Sequence, residues 1–478
     1  MDINSATPRE RLLLDSGWRF RRDEERVELG KAQDDSYFSV KTGNAGGAAG
    51  KDWDDLDWRV VDLPHDFVVE GIHAPEHNVS HGSLPGGVAW YRKSFVLPAA
   101  DEGRRLWLEF DGVFRDAQVW LNGHRLGRHS SGYIGFRYEI TDQANFGGEN
   151  VVAVRVDATG IEGWWYEGGG IYRHVWLVKT DRLAVAPWGV YVSPAVAEDF
   201  SRATLAISTE LQNEYGDDAE AEVVSTVLDA AGREVAAVRS TVTVPAGGEL
   251  TLAQEAALER PELWSVDRPY LYRLITTVNY AGEVADRVET TFGVRTIRFD
   301  AEQGFFLNGQ PLKLHGTCNH QDHAGVGVAM PDAVLEYRIR RLKEMGGNAY
   351  RCAHNPPAPE LLDACDRLGM LVMDENRYLS ATEEHLEDLA AMLRRDRNHP
   401  SIIMWSMCNE EFLQGTEVGT RILQRMVRLT RKLDPTRPTL CAVSGNWDQS
   451  GYSTTTDLMG CNYVHKLYDD YHAKFPSQ

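Results

Sequence analysis

Three consecutive polar residues, Asn409, Glu410 and Glu411, follow an apolar run, SIIMWSMC, that extends from Ser401 to Cys408. A run of that length reads as a strand buried on both faces. A carboxyl group at the end of such a strand is partly desolvated, which favours its protonated form and suits it to general acid and base work. Glu410 is the candidate for that role, and Glu411 reads as a solvated or structural neighbour. The plainer alternative for Glu410 is a strand-end carboxylate held in a salt bridge. Polar residues recur at the ends of other apolar runs: His315, His354, Asp374 with Glu375, and Asn462 with Tyr463. His315, His320, His323 and His354 raise the question of a metal site. Their spacings lack the rigid i, i+4 geometry of a helix, so ligand contact or packing is favoured over a transition metal. In a regular strand Asn409 and Glu410 point to opposite faces. Both can reach one cleft only if the strand has ended or carries a bulge there, and a bulge or end is expected.

The elements that must position these groups alternate strand and helix from about residue 296. LKLHGT reads as a first strand and MPDAVLEYRIRRLKEMGGN as a helix, with Pro331 at its start, Leu335, Ile339, Leu342 and Met345 on one face and Gly346-Gly347 as its stop. NAYRCAHN, MLVMDEN, SIIMWSMCNEE, TLCAVSG and DLMGCNYV follow as strands, with helical patterns between them. RDRNHP sets Asn398, His399 and Pro400 as the turn into the fourth strand. Alternation of this kind calls for a parallel sheet with right-handed crossovers, and chemistry gathers at its carboxyl ends. The pattern is that of a (β/α)8 barrel with six strands in the sequence.

Residues 1–181 read instead as a jelly roll, with short strands separated by Gly, Asn and Asp turns and a strong hairpin signal at Asn122-Gly123. Residues 182–295 carry about seven period-two strands, the signature of an immunoglobulin-like sandwich, and read as a spacer. Within it PELWSVDRPYLY, with Trp264, reads as a packed turn. Residues 296–478 are the incomplete barrel. The net charge of −21 argues against nucleic acid or an anionic membrane as a partner. MDINSATPRERLLLDSGWRF has no apolar stretch of signal-peptide length, so a cytoplasmic protein is expected. All six cysteines fall from Cys318 onward without metal spacing, and buried free thiols are the favoured reading.

Taken in order, several motifs resemble glycoside hydrolase family 2, the β-galactosidase and β-glucuronidase group. FDGVFRDAQVWLNGHRLGRHSSGYIGFRYEIT and EGGGIYRHVWL are similar to its sugar-binding jelly roll. FGVRTIRFDAEQGFFLNGQPLKLHGTCNHQDHAG resembles the start of its barrel, and RCAHNP, MDEN and RDRNHPSIIMWSMCNEE its later markers. The resemblance implies a retaining exo-β-glycosidase in which Glu410 is the acid/base and Asn409 holds the sugar 2-hydroxyl. Arg351, His354 and Tyr463 would line the sugar site, and His320 is a weaker carry-over. Asp374 and Glu375 would contact sugar or position neighbours, and Trp164 would reach the cleft from the jelly roll. Cys408 stands where the family has glycine, a departure expected only to fill space. CNHQDHAG leans to the galactosidase side, with β-glucuronidase and β-mannosidase as alternatives. No cofactor is required on this reading; some family members use Mg²⁺ or Na⁺ for support, and no ligands for one can be named here. A homo-oligomer is compatible with the family.

The family's nucleophile is a Glu at the end of strand seven. No Glu follows Glu417, so that residue is expected beyond Gln478, in a longer protein. On this reading residues 1–478 alone do not complete the retaining mechanism, and a non-catalytic carbohydrate-binding role is the alternative from another class. A metal-dependent hydrolase using the histidines is a third. An open barrel would also leave the first and sixth strands with bare edges.

Overall fold

A computed structural model describes residues 8–23, 43, 45–449 and 451–478. The first seven residues of the N-terminal stretch read for a signal peptide lie outside the described residues. The described residues form two compact units. One runs up to Arg182 and includes Gln321–Pro331; the other comprises Leu183–His320 and Asp332–Gln478.

The first unit contains two antiparallel sheets. Four strands, Glu10–Leu13, Val175–Thr180, Arg105–Phe110 and Phe136–Glu139, form one; six form the other, with Val88–Val96 and Glu149–Asp157 at its centre. Alternating inward residues such as Leu106, Leu108 and Phe110, together with Tyr91, Val152 and Val154, fill the core. Asn122 and Gly123 both have positive φ, 51° and 80°, between the paired strands Ala117–Leu121 and His124–His129. That is the turn the Asn-Gly pair predicts. Residues 321–331, read from the sequence as part of the barrel region, belong to this unit: Val328 is in its core. The Val328 N–H donates to Asp66 Oδ2 at 3.0 Å. Asp66 is buried, which raises its pKa, and donors from Val328, Tyr166, Val68 and Gly169 offset part of the rise.

The second unit begins with seven antiparallel strands in sheets of three and four, whose facing residues make one apolar core. A small sheet of Ile297–Asp300, Gly304–Leu307 and Gln310–Pro311 leads into the barrel strands. These are Gly316–Asn319, Ala349–Cys352, Leu371–Glu375, Ile402–Asn409, Thr439–Val443 and Leu458–Cys461, side by side in chain order and parallel at every pairing. Helices Asp332–Glu344, Pro359–Leu368, Glu383–Asp396, Glu417–Leu433 and Tyr468–Lys474 alternate with them.

Two details differ from the sequence reading. The first barrel strand begins at Gly316, because Leu312 and Leu314 pack with Trp264, Phe305 and Leu371 instead of entering the sheet. His315 therefore sits before the strand, not at its carboxyl end. Gly316 is required there, since a Cβ would lie 2.2 Å from the Ala349 carbonyl oxygen. The helix after it ends at Glu344, one residue before Met345, whose side chain is exposed.

The sandwich grips the turn that launches the fourth barrel strand. The Asn398 side chain donates to the Val190 carbonyl at 2.8 Å and accepts from the Val192 N–H at 2.9 Å. Arg295 donates to the Pro400 and Ile402 carbonyls, both at 2.5 Å. Trp264 is fully buried and its indole N–H donates to the Asp366 carbonyl at 2.9 Å. In the same turn His399 Nδ1 lies 2.6 Å from Asp366 Oδ2. Burial alone would lower the His399 pKa, but Asp366, with Asp363 and Asp396 behind it, raises it from 6.5 to about 9. Stability from this pair is complete below the unfolded pKa of 6.5 and is lost as pH rises through about 9. The denaturation midpoint of the second unit should therefore fall across that window, and His399→Gln should flatten the fall; parallel pH profiles for the two proteins would contradict the pairing.

Candidate active site

The fourth barrel strand is buried along nearly its whole length and stops at Asn409. Its register with the fifth strand slips between Ser406 and Asn409, and Glu410 adopts φ +50°. The expected break in the strand is there. Its effect is that Ser406 and Asn409, three residues apart, both reach the same polar cluster. Cys408 turns away and packs its Sγ 3.7 Å from Cys441 Sγ and 3.9 Å from the Tyr452 hydroxyl. It is buried there.

The cluster is built on Glu375, at the end of the third strand and fully buried. Arg351, from the second strand, grips it with two nitrogens: Nε to Oε2 at 3.0 Å and Nη2 to Oε1 at 3.1 Å. The Ser406 hydroxyl donates to Oε2 at 2.8 Å, and His354 Nδ1 lies 2.6 Å from Oε1. Burial opposes the Arg351 charge, but Glu375 more than compensates and the net pKa is raised. Arg351 Nη2 also donates to Asn409 Oδ1 at 2.6 Å. Beyond the sixth strand, Asn462 Nδ2 donates to Glu410 Oε1 at 2.5 Å and to Asn409 Oδ1 at 3.2 Å. Tyr463 is hydrogen-bonded to Glu410, which raises the phenol's pKa. The His320 ring meets His354 edge-on, with centroids 5.3 Å apart. Glu410, Asn409, Arg351, His354, Glu375, Tyr463 and His320 are thus brought together. A cavity of about 1060 Å³ opens along the inner face of the sheet, reaching Arg351 and Asn462 and floored by Met373, Met404, Leu440 and Ala442.

Asp374 stands apart from this cluster. Asp374 alternates with Glu375 and so faces the other side of the sheet. Burial, and then the charge of Asp396, push its pKa well above the carboxylate range, with Arg395 opposing. Trp164 is in the first unit with its side chain 89% exposed. Trp165 folds back over Gly163, and Glu167 is buried beneath His81 Nε2 at 3.0 Å and the Tyr133 hydroxyl at 2.6 Å. Glu411 pairs with Arg377 at 3.5 Å, the structural part read for it; burial raises its pKa and Arg377 offsets some of the rise. Of the four histidines, His320 and His354 meet while His315 precedes the first strand. Two contributors were not assigned to the site from sequence. Ser406 is a hydroxyl within an apolar run, and Asn462 stands out in the sequence only as a polar residue at a strand end; the pairing of the fifth and sixth strands brings it to Glu410.

Both Glu375 oxygens are occupied by protein donors, so the carboxylate acts as an anchor for cations and hydroxyls around it. Glu375→Gln leaves the Arg351 charge buried without its counter-ion. Removing one partner of such a pair costs about 3–5 kcal/mol, and chemical denaturation of the variant should show a loss of that order. A variant as stable as the wild type would remove Glu375 from this role.

Comparison with known proteins supplies the family. The family description "Glycosyl hydrolases family 2" matches residues 186–295, its TIM barrel domain matches 300–382 and 379–475, and its galactose-binding domain-like region matches 84–164. The chain is 38% identical to Beta-galactosidase BoGH2A of Bacteroides ovatus, over 99% of this chain and 59% of that protein. It is 34% identical to a putative beta-glucuronidase of Formosa agariphila, over 80% of this chain and 37% of that one. Among solved structures, a family 2 member from Bacteroides cellulosilyticus superimposes with a TM-score of 0.90 at 33% identity, covering 98% of this chain and 60% of its own. A Bacteroides uniformis beta-glucuronidase gives 0.84 at 27% identity, covering 98% and 58%. The chain therefore spans about 60% of the length of these relatives or less. From its three matched regions and its six parallel barrel strands, the chain belongs to glycoside hydrolase family 2.

Proposed function

We propose that the full-length protein is a retaining exo-β-glycosidase with Glu410 as its general acid/base. The observation that carries this reading is the convergence of Asn409 and Glu410 on one cluster at a strand end that slips register to bring them there. Glycosidic cleavage with retention needs a carboxylic acid to protonate the leaving oxygen and a second carboxylate about 5–5.5 Å away to attack the anomeric carbon. Glu410 gives its proton to that oxygen as the bond breaks, then takes one from the water that hydrolyses the glycosyl-enzyme. On this reading Asn409 holds the sugar hydroxyl next to the reacting carbon, and His354, His320 and Tyr463 line the sugar.

β-Galactosides are the preferred substrates on this reading, supported by the 38% identical relative that matches nearly the whole chain. β-Glucuronides are the second reading, supported by beta-glucuronidase relatives at 30–34% identity over 74–81% of the chain. The test is hydrolysis of chromogenic β-galactoside, β-glucuronide and β-mannoside by the full-length protein and its Glu410→Gln variant. General acid/base catalysis contributes about 10²–10⁴-fold, and the variant should lose that much with unactivated substrates. Undiminished hydrolysis by Glu410→Gln would end the assignment.

A further inference from the structure

The site's hydrogen bonds have a direction, and it can be followed outward from Glu375. A guanidinium has donors and no acceptor. Arg351 therefore fixes the Asn409 amide with its oxygen inward, 2.6 Å from Nη2. That oxygen and Glu410 Oε1 are both acceptors, so the Asn462 group lying between them must be its NH₂, at 3.2 and 2.5 Å. The Asn462 backbone N–H in turn donates to the Val443 carbonyl at 2.8 Å, which fastens the residue to the end of the fifth strand.

On the reading of Glu410 as the acid/base, we propose that Asn462 is a positioning residue that holds Glu410 Oε1 and leaves Oε2 as the oxygen that carries and delivers the catalytic proton. An amide N–H only donates, so an oxygen that receives it keeps acceptor character. In the acid form of Glu410 the proton is then on the other oxygen. During cleavage the Oε2–H bond breaks, the proton passes to the glycosidic oxygen, and the carboxylate left behind keeps its contact with Asn462. In the second half of the reaction Oε2 takes a proton from water. Without Asn462 the carboxyl group keeps its Tyr463 contact but loses the donor that reserves Oε1 as the acceptor, and the proton is no longer confined to Oε2.

The consequence is selective. Substrates whose leaving group needs no proton, such as 2,4-dinitrophenyl glycosides, should tolerate the loss of Asn462, and alkyl or sugar leaving groups should not. The experiment is a leaving-group series on the full-length protein, comparing wild type, Glu410→Gln, Asn462→Ala and the isosteric Asn462→Asp, with melting temperature measured for each. For Asn462→Ala the expected result is a kcat/KM loss of about 10–100-fold with poor leaving groups and under about threefold with 2,4-dinitrophenol, a fraction of the full acid/base contribution. Asn462→Asp should show the same selectivity, and it decides the matter if the alanine variant fails to fold. Equal loss across the series, or none, in an enzyme whose Glu410→Gln variant is selectively impaired overturns this inference alone. A Glu410→Gln variant that keeps its activity overturns the acid/base assignment, and a wild type that cleaves none of the series overturns the proposed function; in either case the inference falls with it.

Discussion

A single carboxylate with no exposure to solvent sets the geometry of this site. Placing Glu375 in the interior costs several kcal/mol of lost hydration, and the cost is offset only because charged and neutral donors converge on both of its oxygens. The donors come from the strands on either side of Glu375's own: Arg351 from the second and Ser406 from the fourth, with His354 just past the second. Parallel strands laid side by side in chain order make this convergence straightforward, since each delivers its last residues to the same end of the sheet. Arg351 cannot satisfy Glu375 without also facing Asn409, so the anchor and the catalytic strand are tied through one guanidinium.

The sandwich has a larger part than a spacer. Its side chains and backbone hold Asn398 and Pro400 in the turn and Ile402, the first residue of the fourth strand. A strand whose far end must break register at a fixed residue needs its near end held. Arg295, the backbone groups of Val190 and Val192, and the buried Trp264 do this from outside the barrel.

Much of this was readable in the residues themselves. Apolar runs of strand length alternating with amphipathic helices implied the parallel sheet, and Asn122-Gly123 implied the hairpin of the first unit. The parity of a strand implied that Asn409 and Glu410 could share a cleft only past a break, and the register slip is found between Ser406 and Asn409. Parity also explains Asp374: adjacent carboxyls on a regular strand cannot both face the site, and Glu375 has the inner face. What the sequence conceals is tertiary. Leu312 and Leu314 look like strand residues because they are apolar, yet they are claimed by Trp264 and Phe305 from elsewhere in the chain. Asn462 becomes part of the site only through the pairing of the fifth and sixth strands.

Residues 321–331 carry one more implication. Val328 completes the hydrophobic interior of the first unit and supplies a donor to Asp66, 262 positions earlier. As the nascent chain emerges from the ribosome, the jelly roll is made long before the piece that finishes it. The whole sandwich and the first barrel strand must be translated before Asp66 receives its last partner. Completion of the amino-terminal unit thus waits for residues 321–331, and a gene fragment ending at residue 182 encodes a fold with an unfilled seat.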